Sequence, residues 1–537
     1  MTNTDLLLGP VLGYEWDDAA QQPYYTVIVR AVKGAAPVWV VDGGQVPMQE
    51  LRVLHDGSSV WRGEVALAPF GADKGRTVDY SIERGTVKLA NLCGSSAWQF
   101  HLPGKPTPKL QPRIAFGSCN GFTQPSALSG REPLLLWQRM QEMHAKDPFS
   151  LLIMGGDQLY CDSLAQQEGS FAKVWAWLSP KDKAKAKPTP AQFLESYFDH
   201  YLLGWVRQAG DGRVQPHAPM VHMMASVPSI MMWDDHDIFD GWGSYESDKG
   251  MSYYKEAFIA ARAAFEVYQV RGAQSNRSLL DRRSARPRHY SLGLKFGPYH
   301  VLALDNRTQR SANQIMDETQ WTQVIDWLRQ TSAALPAGDA STLLVVLPIP
   351  LVYRRFQDWV SDLPGEHAGE DDLRDHWNHK NHQGERNRLV SHLFGALRFD
   401  PAGTDYAGTA KQAGAGFSRI TLLSGDVHVG ALGFLERTDT KAEIAQVISS
   451  AIIHPEPGPV AWAGVQAISS DNDFHIQSQS VVAKMAPPVG TSPGEGKYLR
   501  CRNFVWLRLG DDDKLWVNWE CEDLAKSRPT RTEFGLR

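Results

Sequence analysis

Phe149-Ser150-Leu151-Leu152-Ile153-Met154-Gly155-Gly156-Asp157-Gln158-Leu159-Tyr160 decides how the rest of the chain is read. A short apolar run closed by two glycines and a polar turn has the form of a buried strand. The form recurs. Ile114–Phe116 leads into Gly117-Ser118-Cys119-Asn120, Ile230–Trp233 into Asp234-Asp235-His236-Asp237, Val301–Leu304 into Asp305-Asn306-Arg307, and Ile420–Leu423 into Ser424-Gly425-Asp426-Val427-His428. A further run, Leu343–Leu347, continues as Pro348-Ile349-Pro350. Between the runs lie amphipathic helical patterns at Pro133–His144, Phe193–Gln208, Ser252–Val270, Thr319–Leu335 and Glu385–Leu397. Strands alternating with helices predict an α/β sheet covered by helices. One Asp after a strand is usually a turn or a helix cap. Five strand ends rich in Asp, His, Cys and Arg are another matter, because ligands of open α/β sheets bind outside the carboxyl ends of the strands, and the groups are expected to converge there.

Outward from this centre the texture changes. Residues 1–104 read as β, with short branched and aromatic segments at Tyr24–Ala31, Val38–Val41, Arg52–Leu54, Ser59–Val65 and Thr77–Ile82 separated by Gly and Asp, which suggests a sandwich of immunoglobulin-like size. The stretch Pro103–Pro108, with three prolines in six residues, reads as the start of a linker set at 105–112. From about 440 the text is β-like again, including Phe504–Leu507 and Leu515–Trp519, and is expected to complete a second sheet. Lys181–Pro188 reads as a solvated loop.

The composition supports a packed protein: of 537 residues 42% are hydrophobic, and 18 Trp, 16 Tyr and 20 Phe supply large apolar area. A formal charge of −5 excludes a general basic field for nucleic acid, which is then expected only as a diester substrate. No run approaches the roughly 18–20 apolar residues of a membrane span. Five scattered cysteines without a C-x-x-C pair, and an amino terminus without export signals, lead us to expect a reduced, cytoplasmic protein.

Asp157, Asp235 and Asp426 offer hard anionic oxygens and His428 a nitrogen, while Tyr160 ionises readily only beside a strongly Lewis-acidic cation. Such a set suits a trivalent metal beside a divalent one, activating water and polarising a phosphoryl group. His236 is the candidate proton donor to the leaving group, and Arg307 the candidate phosphate clamp, with an ion pair to Asp305 as its alternative.

Taken together, Ser118-Cys119, Gly156-Asp157-x-x-Tyr160, Trp233-Asp234-Asp235-His236-Asp237, Leu304-Asp305-x-Arg307 and Ser424-Gly425-Asp426-x-His428 resemble the PhoD-like (alkaline phosphatase D) branch of the calcineurin-like metallophosphoesterases. The resemblance covers the chain from about 110 onward and extends to the preceding β region. It implies an immunoglobulin-like β-sandwich over 1–104 and a four-layer αββα domain over 113–537, with insertions near 161–228 and 354–416 that shape the substrate pocket. It further implies Asp157 as the bridging ligand, Tyr160 as a phenolate on ferric iron, Cys119 as a thiolate ligand, Asp235 as a ligand of the second metal and Asp426 with His428 as the last pair. The implied cofactor is Fe3+ with a divalent cation, Ca2+, Mn2+ or Zn2+. The implied reaction is hydrolysis of a small-molecule phosphoester by metal-bound hydroxide. Asp240 stands where the family carries an Asn that helps to hold calcium. Pro348-Ile349-Pro350 lacks the histidine that completes the second metal site in the wider superfamily, so a weaker or different second metal is expected.

Around this set lie residues with two readings. Asp234 either binds metal or caps its neighbours, and Asp237 is expected to orient ligands rather than bind. Cys161 is read as structural and Trp242 as packing. His376, in the histidine-rich tract with His379 and His382, is the candidate approach to substrate. A phosphodiesterase using the same ligands is the rival among enzymes. A non-catalytic metal-binding scaffold is the rival outside them.

Overall fold

The computed structural model describes residues 5–122, 128–162, 189–210, 213–244, 254–282, 286–356, 374–398, 415–477, 480–488 and 496–532. The Lys181–Pro188 stretch, residues 252–253 and much of the two expected insertions (163–188, 357–373 and 399–414) lie outside the described residues. The chain forms two compact units: residues 1–115, 120–240 and 247–278 make the first, and 116–119, 241–246 and 279–537 the second.

In the first unit, strand Phe149–Gly155 pairs in parallel with Ser229–Met232, with Met154 opposite Met231 and Gly155 opposite Met232. Both strands are buried along their whole length, as expected of the near-continuous apolar runs of a sheet covered on both faces. Next to Ser229–Met232 lies Leu6–Asp17, again parallel, followed by Gln22–Ala31, Ser59–Val65 and Gln49–Val53 in antiparallel order. A second sheet runs Gly44–Pro47, Val38–Val41, Arg76–Arg84, Val87–Lys88, with Trp98–Leu102 paired to Arg76–Arg84. The two sheets meet where Tyr25 stacks on Phe100 at 5.1 Å, and within the second sheet Trp39 meets Tyr80 edge-on at 6.1 Å. Gly63 makes room for Trp39, since a Cβ there would lie 2.9 Å from the indole.

The pairing does not close residues 1–104 on themselves: their first strand and its neighbours share a sheet with the parallel strands of the α/β layer. The sequence hid this strand because Gly9-Pro10 interrupts Leu6–Asp17 and reads as a breaker. In the structure the interruption is absorbed by register shifts between Leu6 and Val11.

Among the described residues there are seven α-helices. Pro190–Trp205 begins with a reciprocal cap, Thr189 accepting from the Gln192 amide while the Gln192 side chain returns to Thr189 N. Its buried face of Phe193, Tyr197, Tyr201 and Trp205 repeats at three- to four-residue spacing. Ala218–Ser226 went unpredicted, because its run of Met, Val and Ala has almost no polar face and so no helical period.

The second unit is built on a sheet ordered Leu292–Phe296, Tyr299–Ala303, Thr342–Leu347, Arg419–Ser424, Glu443–Ser449, Gly430–Arg437, Val481–Ala486, Phe474–Ile476, with Tyr498–Leu499 also pairing to Gly430–Arg437. Its central strands are parallel, Leu347 standing opposite Ser424 and Ser424 opposite Ile448. Helix Glu318–Ala334, capped by Asp317 accepting from the Gln320 amide at 2.8 Å, buries Trp321, Val324 and Leu328 in one apolar core with Leu343, Val345 and Phe394. At roughly 1.5–3 kcal/mol for each fully buried large side chain, this face outweighs the helix's own propensity. Asn503–Leu509, Leu515–Cys521 and Arg528–Thr532 form an antiparallel set at the end of the chain.

Candidate metal and phosphoester site

Four of the predicted ligands share a backbone feature. Cys119, Asp157, Asp426 and His428 all have φ between 52° and 69°, the left-handed region. For residues other than Gly this costs on the order of 1–2 kcal/mol each. Gly is the residue that adopts this region at no such cost.

In the first unit, Asp157 closes the turn after Phe149–Gly155, while Asp235 and His236 sit in the short 3-10 turn Asp235–Asp237 that follows Ser229–Met232. One ligand atom from each of Asp157, Asp235 and His236 lies within 4.8 Å of the others. Burial, then the carboxylate of Asp234, raises Asp157 well above the usual carboxylate range; Asp235 and Asp237 add to this and His236 opposes it. Crowding of buried anions is what a cation would relieve, so the donor set fits a metal. Asp237 spends its oxygens inside the protein, accepting from the amides of Asp234 at 2.9 Å and of Gln158 and Leu159 at 3.2 Å, and from Gln269 Nε2 at 2.9 Å. It thereby ties the Asp157 turn to the Asp235 turn. Cys161 directs its thiol to the Asp237 carbonyl and is structural.

The Tyr160 ring stacks on His236 at 4.2 Å. Gly121 permits this, since a Cβ there would lie 2.8 Å from the Tyr160 ring. His236 Nδ1 lies 2.5 Å from Asp162 Oδ2, and Asp162 Oδ1 accepts from the Asp240 amide at 2.8 Å. Burial works against protonation of His236, but Asp162, Asp235 and Asp157 outweigh it and raise its pKa well above the ordinary imidazole value. Asp240 reaches only 3.8 Å from His236 Nε2 and is half exposed. Asp162 was not recognised from the sequence, because nothing in the chain links it to a histidine 74 positions away.

In the second unit, Cys119 Sγ lies 3.0 Å from Ser450 Oγ, which also accepts from the His428 amide at 3.0 Å. The Cys119 carbonyl accepts from the His454 amide at 3.2 Å, and the His454 ring stacks on His428 at 3.7 Å. Asp426 follows Gly425, whose amide donates to Pro348 O at 2.9 Å. The proline-bearing strand end that lacks the expected histidine therefore still shapes the Asp426 turn. Ser450 and His454 also escaped the sequence reading. They follow Glu443–Ser449, a sixth strand end whose polar residues are spread over several positions rather than gathered in a motif.

Arg307 is fully buried, its Nη1 held by Asp375 Oδ2 at 2.5 Å and by the Trp242 carbonyl at 3.1 Å. Arg310 joins the same carboxylate at 3.2 Å, and Ser244 Oγ donates to it at 2.5 Å. The expected alternative, Asp305, instead accepts from the backbone amides of Arg307 and Thr308 at 3.0 Å. Trp242 is a packing residue here, its Nε1 donating to Arg307 O at 3.2 Å. His376 is buried against Tyr353 with ring centroids 5.4 Å apart, and burial pulls its pKa down to about 4. We expect Asp375→Ala, which leaves two buried guanidinium groups without their carboxylate, to cost about 3–5 kcal/mol in a denaturant titration. Replacement of an exposed carboxylate such as Glu318 would cost less than about 1 kcal/mol.

A cavity of about 840 Å³ in the first unit, with His101, His144 and His222 in its wall, contains none of the predicted ligands. No helix among the described residues is long and apolar enough to cross a membrane.

The structure is similar to a purple acid phosphatase isolated from yellow lupin (Lupinus luteus) seeds, with a TM-score of 0.50 and 12% identity over 98% of this chain and 74% of that one. At that identity the likeness is one of fold. The family model of PhoD related phosphatase matches residues 79–363, and the chain belongs to that family. It is also 27% identical over 382 residues to an uncharacterized protein of Saccharomyces cerevisiae, a match that covers 59% of this chain and spans about half (49%) of that relative.

Proposed function

We propose that the protein is a metal-dependent phosphoester hydrolase acting on small-molecule substrates. The observation that carries the reading is the close group of Asp157, Asp235 and His236 at the ends of parallel strands, one polar atom of each within 4.8 Å of the others, two carboxylates to hold a cation with an imidazole beside them. The ligands assigned are Asp157, Tyr160 and Asp235 together with Cys119, Asp426 and His428, with Asp234 and Asp240 beside them, for a dinuclear centre of Fe3+ and a divalent cation. When bound, such cations supply Lewis acidity at phosphorus and lower the pKa of water. His236, held in one orientation by Asp162, donates its proton to the leaving alkoxide. Asp237 and Ser450 hold the turns in place. Arg307 has a positioning role, because its Nη1 is held by Asp375 and the Trp242 carbonyl. No covalent phosphoenzyme is required, and inversion at phosphorus is expected.

The test is metal analysis of protein purified without chelator, followed by turnover of p-nitrophenyl phosphate against bis-(p-nitrophenyl) phosphate. Faster turnover of the second makes the enzyme a diesterase. Full metal occupancy without turnover on either would replace the enzyme with a metal-binding scaffold. Tyr160→Phe is expected to bleach a visible charge-transfer band of the iron form. A colourless, active, iron-free wild type would remove Tyr160 from the ligand set.

A further inference from the structure

The second unit holds a cation beside the Asp426–His428 turn that no sequence motif marks, Arg500. Gly430, two residues after His428, pairs with Leu499 in antiparallel register. The next residue along each strand places Arg500 across from Val429, next to the metal-ligand turn. The Arg500 guanidinium lies over the Trp462 ring at 5.3 Å, and its Nη2 donates to Pro457 O at 3.4 Å. Pro457 lies three residues after His454, whose ring stacks on His428. The strand register and the 454–462 segment thus place Arg500 close in the fold to the residues that follow and flank the Asp426–His428 turn.

What distinguishes Arg500 is its lack of an anionic partner. Arg307 and Arg310 share the one carboxylate of Asp375, Arg354 pairs with Asp471 and Arg502 with Glu522. Among the described residues no carboxylate pairs with Arg500, its side chain is only partly buried, and its Nε is a buried donor with no hydrogen-bond partner. A guanidinium braced on an indole, with donors to spare, is suited to the two-pronged recognition of phosphate oxygens.

We propose that Arg500 binds the non-bridging oxygens of the substrate phosphoryl group. The proposal rests on the phosphoester-hydrolase reading and deepens it by naming the residue that recognises the anion. The experiment measures inhibition by inorganic phosphate and the steady-state constants for p-nitrophenyl phosphate in wild type, Arg500→Lys, Arg500→Gln and Arg500→Ala, with metal content and melting temperature recorded for each. Arg500→Ala and Arg500→Gln are expected to raise KM and weaken phosphate inhibition about tenfold or more, while Arg500→Lys recovers part of the loss. Metal content should stay at the wild-type value. Unchanged phosphate inhibition in folded, metal-replete Arg500→Gln overturns the proposal. If the wild type turns over no phosphoester, the functional reading fails instead. Calorimetric binding of inorganic phosphate to metal-loaded wild type and Arg500→Gln then decides the role of Arg500, equal affinities overturning it.

Discussion

Asp157→Ala is expected to abolish metal retention and to reduce kcat/KM on aryl phosphates by about three orders of magnitude or more. Asp157 is buried among Asp234, Asp235 and Asp237, and its ionised form is disfavoured there unless a cation compensates. Its left-handed backbone, φ 52°, fixes the carboxylate at the strand end, so no neighbour on the same turn substitutes for it. Removing it also lightens the charge crowding. The variant should therefore be at least as stable as the metal-free wild type toward denaturant while binding less metal. That opposition separates loss of a ligand from loss of fold. Metal analysis by mass spectrometry, a urea titration and turnover of p-nitrophenyl phosphate check the three parts, and wild-type turnover after Asp157→Ala would end the metal-site interpretation.

How much of this was legible before the structure depends on whether two local signals coincided. At Asp157, Asp235, Asp426 and His428 an apolar run and a polar strand end adjoin, so the periodicity that predicts a strand also places these candidate residues at strand ends, where the structure has them. Five helices were read from their apolar period, Thr319–Leu335 differing from the observed Glu318–Ala334 by one residue at each end, whereas the nearly all-apolar Ala218–Ser226 and Pro459–Ile468, the latter in a stretch read as β, were missed. Asp162, Ser450 and His454 act through contacts that tertiary packing alone creates, across sequence distances that no pattern spans. Arg307 shows the opposite failure. Its motif was visible, but whether the guanidinium faces substrate or a buried Asp375 depends on a residue 68 positions away. Leu6–Asp17 was lost because Gly9-Pro10 obeys a breaker rule that a bulged strand tolerates.

His236→Ala is expected to leave bound metal near the wild-type amount and to lower kcat by about 10²-fold or more, the usual loss when a positioned general acid is removed. Asp162→Asn should follow it part of the way, by about ten- to a hundredfold. The amide keeps the shape around His236 Nδ1 and the Asp240 backbone contact but removes the charge. Asp162 is the largest of the carboxylate influences holding the His236 proton, ahead of Asp235 and Asp157. Without that charge the imidazole pKa falls, and the limb of the kcat profile that requires protonated His236 moves to lower pH. The sign follows from the role: an acid whose pKa drops loses its proton sooner as pH rises, so activity declines at a lower pH than in the wild type. A base in the same position would move its limb of the profile in a way that widens the active range toward acid. The acid role is tested further with leaving groups of graded pKa. His236→Ala should lose most on alkyl esters, whose alkoxides need a proton, and least on p-nitrophenyl phosphate, whose phenolate departs without one. Equal losses across the series would assign His236 to positioning the phosphoryl group rather than to protonating the leaving oxygen.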